Sequence, residues 1–183
     1  MTTLKINASA LKKELKSHAK KGLVYWSQDN ETGFSYIGTR VFLFKIHNAA
    51  LEGQPAIRKA LAEAGLFLPN TALSAGSETV IPSGLTQLIQ GMEEGTAYPK
   101  AVDTRLIWAH DDLKRNLSIL KHAETEELLF VDTRYTALFE GTWTTKGKHE
   151  PLYCDGEAMI LPVSCPDEAV KYLQNTFSKG VLV

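Results

Sequence analysis

The chain has little cysteine and no long apolar run. Its two thiols, Cys154 and Cys165, show no C-x-x-C spacing and have no histidine at ligand spacing, which argues against a structural zinc site. Lying in an apolar C-terminal stretch, they read as buried free thiols of a reducing compartment rather than as a disulfide. No stretch approaches the roughly 20 apolar residues of a membrane span. The opening MTTLKINASALKKELK also lacks the continuous apolar core of a signal peptide. A cytoplasmic protein without membrane contact is the expectation. An excess of one charge is missing as well: 20 basic residues face 21 acidic ones, for a net charge of −1. No global field therefore advertises nucleic acid or an anionic membrane. The G-x-S-x-G elbow, the GxxxxGK[ST] loop and the GxGxxG fingerprint are absent, so the common routes to acyl transfer, NTP and NAD chemistry have no support. No cofactor is expected, and the reading leans away from an enzyme.

What is present is an ordinary folded composition, with 44% apolar and 22% charged residues over 183 positions. Residues 4–6 read as a short strand. Asn7 or Ser9 caps a helix with Leu11, Leu15 and Ala19 on one face, and Gly22 stops it. Three runs rich in aromatic and branched residues follow as strands, at 23–28, 33–38 and 40–46, so the first 46 residues read β-α-β-β-β. Pro55 opens a helix carrying Ile57, Leu61 and Ala64 to Gly65. Pro69 to Thr79 reads as a loop, and Ser83 as the cap of a helix with Leu85, Leu88, Ile89 and Met92 up to Gly95. The second half opens with a strand at 102–110, followed by a charged segment whose Leu113, Leu117 and Leu120 suggest one helix face. Residues 127–132 form a strand and 133–141 a short helix or turn. Strands flank the Lys146-Gly147-Lys148 turn, and EAMILPV (157–163) is the most apolar strand. Ser164, Pro166 and Asp167 punctuate a C-terminal helix bearing Ala169, Val170, Leu173 and Phe177, with Gly180 as its stop. The expected fold is α+β, a mostly antiparallel sheet with flanking helices, in one domain spanning 1–183 with a helical insertion at about 50–95.

A tetrapeptide recurs: Val102-Asp103-Thr104-Arg105 and Val131-Asp132-Thr133-Arg134, with Ile37-Gly38-Thr39-Arg40 as an imperfect third copy. Asp before Thr can accept a backbone N–H two residues on and Gly tolerates positive φ, so each copy suits a tight turn or cap. Thr-Arg is also a common pair, and similarity does not extend over the 20 or more residues of a true repeat. If the copies are real, the chain holds two β-α-β-β units, near 4–46 and 127–163. That order, doubled around one core, resembles a domain of the DNA polymerase sliding clamps. The second unit also resembles, in style, the C-terminal stretches of small phage-type proteins of unknown role. The clamp resemblance implies contact with DNA or a replication protein, and a ring would require a homo-oligomer. It supplies no site residue and leaves residues 50–95 without a counterpart.

Lys12, Lys13, Lys16 and Lys20 fall within about 100° of helical arc opposite the apolar stripe. On a clamp-like fold such a face would meet the phosphate backbone, with Arg40, Arg105 and Arg134 as extensions if the repeats align them. A solvated surface face is the plainer reading of the same lysines. His110-Asp111-Asp112 is the nearest approach to a metal or catalytic cluster and defines the alternative, a small metal-dependent hydrolase. The partners such a centre needs are not evident, and His18, His47, His122 and His149 are scattered. A third reading is a protein–protein interaction module using an exposed sheet edge or the EAMILPV strand. The leading expectation is a non-catalytic binding protein, clamp-like, from a phage or mobile element.

Overall fold

The computed structural model describes residues 4–110, 114–165 and Val170. A short strand β1 (Lys5–Ile6) leads into helix α1 (Ala8–Lys21). The cap of α1 is Asn7, whose Oδ1 accepts the Ala10 N–H at 3.1 Å. Leu11, Leu15 and Ala19 form its buried stripe. Strands β2 (Leu23–Asp29), β3 (Phe34–Thr39) and β4 (Phe42–His47) follow as an antiparallel meander. Helix α2 (Asn48–Glu52) starts where His47 Nδ1 accepts the Ala49 N–H at 3.3 Å, and α3 (Pro55–Glu63) has its proline in the first turn.

The stretch expected to be a loop instead holds a hairpin, β5 (Thr71–Ser74) and β6 (Ser77–Thr79). Ala75 and Gly76 make its two-residue turn with φ of 50° and 83°, the left-handed pair that matches strand twist. Helix α4 (Leu85–Gly95) follows Gly84 with no side-chain cap, so Ser83 does not play the expected role.

In the second half, β7 (Ala101–His110), β8 (Arg115–His122) and β9 (Leu128–Asp132) form a three-stranded sheet. The helix expected around Leu117 and Leu120 is therefore a strand. Leu117 is buried in one apolar cluster and Leu120 in another, as successive faces of a strand require. Then come α5 (Thr133–Thr136), β10 (Phe139–Glu140), β11 (Trp143–Thr144), β12 (Leu152–Cys154) and β13 (Ala158–Ile160). Apart from Val170, the expected C-terminal helix lies outside the described residues, as do Asp111, Asp112 and Leu113.

Every strand pairing among the described residues is antiparallel, and the large sheet runs β11-β12-β13-β4-β3-β2-β5-β6. Alternation splits its side chains cleanly. Val24, Ile37, Phe42, Phe44, Leu152, Ala158 and Ile160 enter one core with the stripes of α1 and α3 and with Leu120, Leu129 and Val131 of the small sheet. Tyr25, Tyr36, Leu43, Ala72, Tyr153 and Met159 enter a second core beneath α4. A third cluster packs Leu117, Ile119 and Phe130 against Cys165 and Val170. The apolar run LLFV of β9 is thus buried on both faces. Strand β13 lies between β12 and β4, so the EAMILPV segment is interior sheet and offers no free edge at 158–160. Both thiols are free and buried, and burial pushes Cys154 up to about 12.

The three tetrapeptide copies share an atom-level device and nothing larger. Thr39 Oγ1 accepts the Val41 N–H at 3.0 Å in the β3–β4 turn. Asp103 Oδ1 accepts the Arg105 N–H at 2.8 Å within a bulge of β7, where Arg105 has φ of 61°. Asp132 Oδ1 accepts the Arg134 N–H at 3.0 Å and caps α5. One local bond therefore serves a hairpin turn, a bulge and a helix start. Strand order does not repeat either: β1, which leads into α1, pairs with β10, whereas β9, which leads into α5, pairs with β8.

Gly38 is required for a reason other than positive φ. It faces Tyr25 across the β2–β3 ladder, and a Cβ there would lie 2.6 Å from the tyrosine oxygen. Gly38→Ala is expected to cost about 1–3 kcal/mol through overpacking. The Tyr25 hydroxyl is buried with no hydrogen-bond partner among the described residues, and burial pushes its pKa up to about 12. Tyr25→Phe should be neutral or stabilising by about 1 kcal/mol. Urea unfolding of both variants checks the pair; a strongly destabilised Tyr25→Phe would show that the hydroxyl has a partner.

Candidate nucleic-acid interface

The cations expected to form a DNA-facing surface lie on several elements. On α1, Lys12 Nζ sits 2.8 Å from Glu63 Oε1 and Lys16 Nζ 3.3 Å from Glu63 Oε2, which ties two of the four lysines to α3. Lys13 and Lys20 are exposed and make no ion pair among the described residues. Arg40 is exposed in the β3–β4 turn, and Arg105 on the β7 bulge.

Arg134 belongs to an internal charge cluster. Its Nε lies 2.9 Å from Asp132 Oδ1 and its outer nitrogen 2.6 Å from Asp132 Oδ2. Glu14 Oε2 lies 3.8 Å from the other guanidinium nitrogen, and Arg115 Nε is 3.7 Å from Asp132. Both carboxylates are almost wholly buried. Burial opposes ionisation of Asp132, but the Arg134 side chain and backbone N–H outweigh it and hold the carboxyl below the usual range. Sequence periodicity missed Glu14, an acid on the buried stripe of α1, because nothing in α1 itself announces its partner 120 residues away.

The histidines serve local structure. His18 Nε2 lies 3.1 Å from the Tyr135 hydroxyl, His47 caps α2, and His122 Nδ1 accepts the Glu124 and Thr125 N–H groups. His110 ends β7, while Asp111 and Asp112 lie outside the described residues. Among the described residues no three His, Cys, Asp or Glu side chains gather as a metal site, and no helix is long and apolar enough to cross a membrane.

The hollows among the described residues differ in how their polar groups are used. One, of about 430 Å³, is lined by Thr144, Asp155 and Glu157 among others. Three of its polar side chains are committed to the fold: Thr144 donates to the Gly95 carbonyl, Asp155 accepts from the Thr142 N–H, and Glu157 accepts from the Leu4 N–H, while Lys100 beside them makes no ion pair among the described residues. The other is a groove made of two adjoining hollows of about 270 and 350 Å³ that share Trp26, Glu52 and Arg58. Trp26 projects from β2 on the face that carries the main core, beyond the cover of α3. Its indole N–H donates to Ser35 Oγ at 3.0 Å, and that hydroxyl donates to Asn48 Oδ1 at 2.8 Å. This relay fixes the ring and leaves it half-buried. Lys59 and the 74%-exposed Phe67 line the outer hollow. Arg58, Lys59 and Glu52 form no ion pair or hydrogen bond among the described residues, in contrast to Lys12, Lys16 and Arg134. A fixed aromatic face flanked by uncommitted charge is a ligand-ready arrangement. The chain matches no protein-family model, no curated protein and no solved structure.

The internal cluster makes a pH prediction. Burial, then Arg134 and Arg115, hold His18 below its ordinary 6.5. The unfolded chain therefore binds the proton first, and the stability contributed by neutral His18 is complete above pH 6.5 and lost as pH falls towards the folded pKa. Urea midpoints measured between pH 7 and 5 should fall, and His18→Gln should flatten that slope; an unchanged slope in the variant would assign it to other groups.

Proposed function

We propose that this protein is a non-catalytic binding protein that takes single-stranded nucleic acid along the Trp26 groove. The observation that carries the reading is the lining of the two adjoining hollows: a hydrogen-bonded indole and Arg58 shared by both, with the exposed Phe67 and Lys59 in the outer one, and neither cation paired among the described residues. Unstacked bases lie on aromatic faces whatever their sequence, and cations beside them meet the connecting phosphates. A duplex keeps its bases stacked inside and offers no face to Trp26. Lys13 and Lys20 of α1, which make no ion pair among the described residues, would add phosphate contacts at longer range, whereas Lys12, Lys16 and Arg134 have acidic partners of their own. The sliding-clamp comparison contributes only its nucleic-acid part to this proposal, because strand order in the two halves differs and nothing in the fold calls for ring closure.

Fluorescence anisotropy of a labelled single-stranded 12-mer tests the proposal. Binding should weaken steadily with added salt. Trp26→Ala should weaken it about 5- to 100-fold, the scale of one lost base–aromatic stack, and Arg58→Glu should weaken it further. A duplex of the same length should bind less tightly. Absence of binding at low salt, or affinity indifferent to both substitutions, rejects the reading.

A further inference from the structure

The same groove holds a feature that general nucleic-acid affinity does not require: Glu52, a carboxylate, in both hollows alongside the cations. An acid in a phosphate-binding groove repels its ligand unless it meets hydrogen-bond donors. Resting on the proposed single-strand reading, we propose that the Trp26 groove selects a guanine base, stacked on Trp26 with its Watson–Crick edge on Glu52 and its phosphate on Arg58.

Guanine complements the groove through its donor edge. An ionised carboxylate only accepts hydrogen bonds, through two oxygens side by side. Guanine presents two adjacent donors, N1–H and the N2 amino group, and so satisfies both oxygens at once. Adenine and cytosine each place an acceptor nitrogen beside their single amino donor, and uracil or thymine flanks its one N–H with two carbonyls. Each of these would set a lone pair against the Glu52 carboxylate. The other groups fit a base and its phosphate in the same space. Trp26 is held by Ser35, and Ser35 by Asn48, so the stacking face is set before a ligand arrives. Gln28 and Asn48 line the inner hollow, where a planar polar edge would lie, and Lys59 lines only the outer one. Glu52 and Arg58 line the same space without bridging each other, so each remains available to a ligand that carries a donor edge at one end and an anion at the other.

The shared chemistry is a guanosine 5′-phosphate group, either free or within a strand. The test titrates the full chain with the four 5′-mononucleotides, read by tryptophan fluorescence, and with single-stranded 12-mers that carry one guanine or none, read by anisotropy. The expected result is a preference for guanine of about tenfold or more, the discrimination of one good bidentate contact. Glu52→Gln, which places a donor opposite the donor edge, should reduce guanine affinity to the level of the other bases while the melting temperature stays that of the parent chain, since Glu52 is exposed and makes no hydrogen bond or ion pair among the described residues. Trp26→Ala should weaken all four nucleotides together. Equal binding of the four bases, or a guanine preference that survives Glu52→Gln, overturns the guanine inference and leaves the single-strand reading standing. Binding of GMP without binding of any 12-mer supports the guanine pocket and rejects the strand. No binding of either overturns both.

Discussion

The seam between β4 and β13 is the contact on which the architecture depends. Phe42 pairs with Ile160, Leu43 with Met159 and Phe44 with Ala158, joining strands more than a hundred residues apart in the chain. The Lys45 N–H to the Glu157 carbonyl and the Leu161 N–H to the Val41 carbonyl extend it at both ends. Without the seam, β2 to β6 form one incomplete sheet and β11 to β13 a small ribbon, each with an unpaired apolar edge. With it, one eight-stranded sheet presents two apolar faces, and each face needs a cover. Helix α4 covers one; α1, α3 and the small sheet cover the other.

The groove is a consequence of how far that cover reaches. Helix α3 buries Ile57, Ala60 and Leu61 against the sheet and exposes Arg58 and Lys59 on its outer side. Trp26 and Ser35 lie on the same sheet face as Ile37 and Phe44 but near its margin, where the core gives way to solvent. Trp26 is there a half-buried aromatic surface rather than a core residue. Net charge says nothing about this locality. A protein with a formal charge of −1 commits Glu63 to Lys12 and Lys16 and Asp132 to Arg134, whereas Arg58 and Lys59 beside the tryptophan are among the cations that make no ion pair among the described residues.

Much of the fold was legible because local signals were strong. The cap and stripe of α1, the meander at 23–47 and the strands flanking the Lys146-Gly147-Lys148 turn all follow from period and punctuation. The failures have identifiable physics. Leu117 and Leu120 share a helix face at period 3.6, but strands β7 and β9 on either side turn the segment into a ladder with one leucine on each face. The Ala75-Gly76 turn was hidden because alanine is not an expected left-handed residue, yet it adopts φ of 50° where the β2 edge offers a partner. The groove was not legible: Trp26 reads as an ordinary β-former, and Glu52 and Arg58 fall where no motif marks them.

The order of residues by itself determined fold class, most elements and the two-faced alternation, because backbone period and side-chain polarity are local properties. It also determined that Asp103 and Asp132 would each capture a backbone N–H two residues on, since that bond needs nothing distant, whereas in the third copy Thr39 makes the capture and Gly38 does not take positive φ. Only tertiary structure decided what each capture became: a bulge, a helix cap or a hairpin turn. It decided likewise which charges found partners. Glu14 meets Arg134, and Trp26 comes to line one groove with Glu52 and Arg58, through separations along the chain that no local pattern encodes, because the packing of helices on the assembled sheet closes those distances.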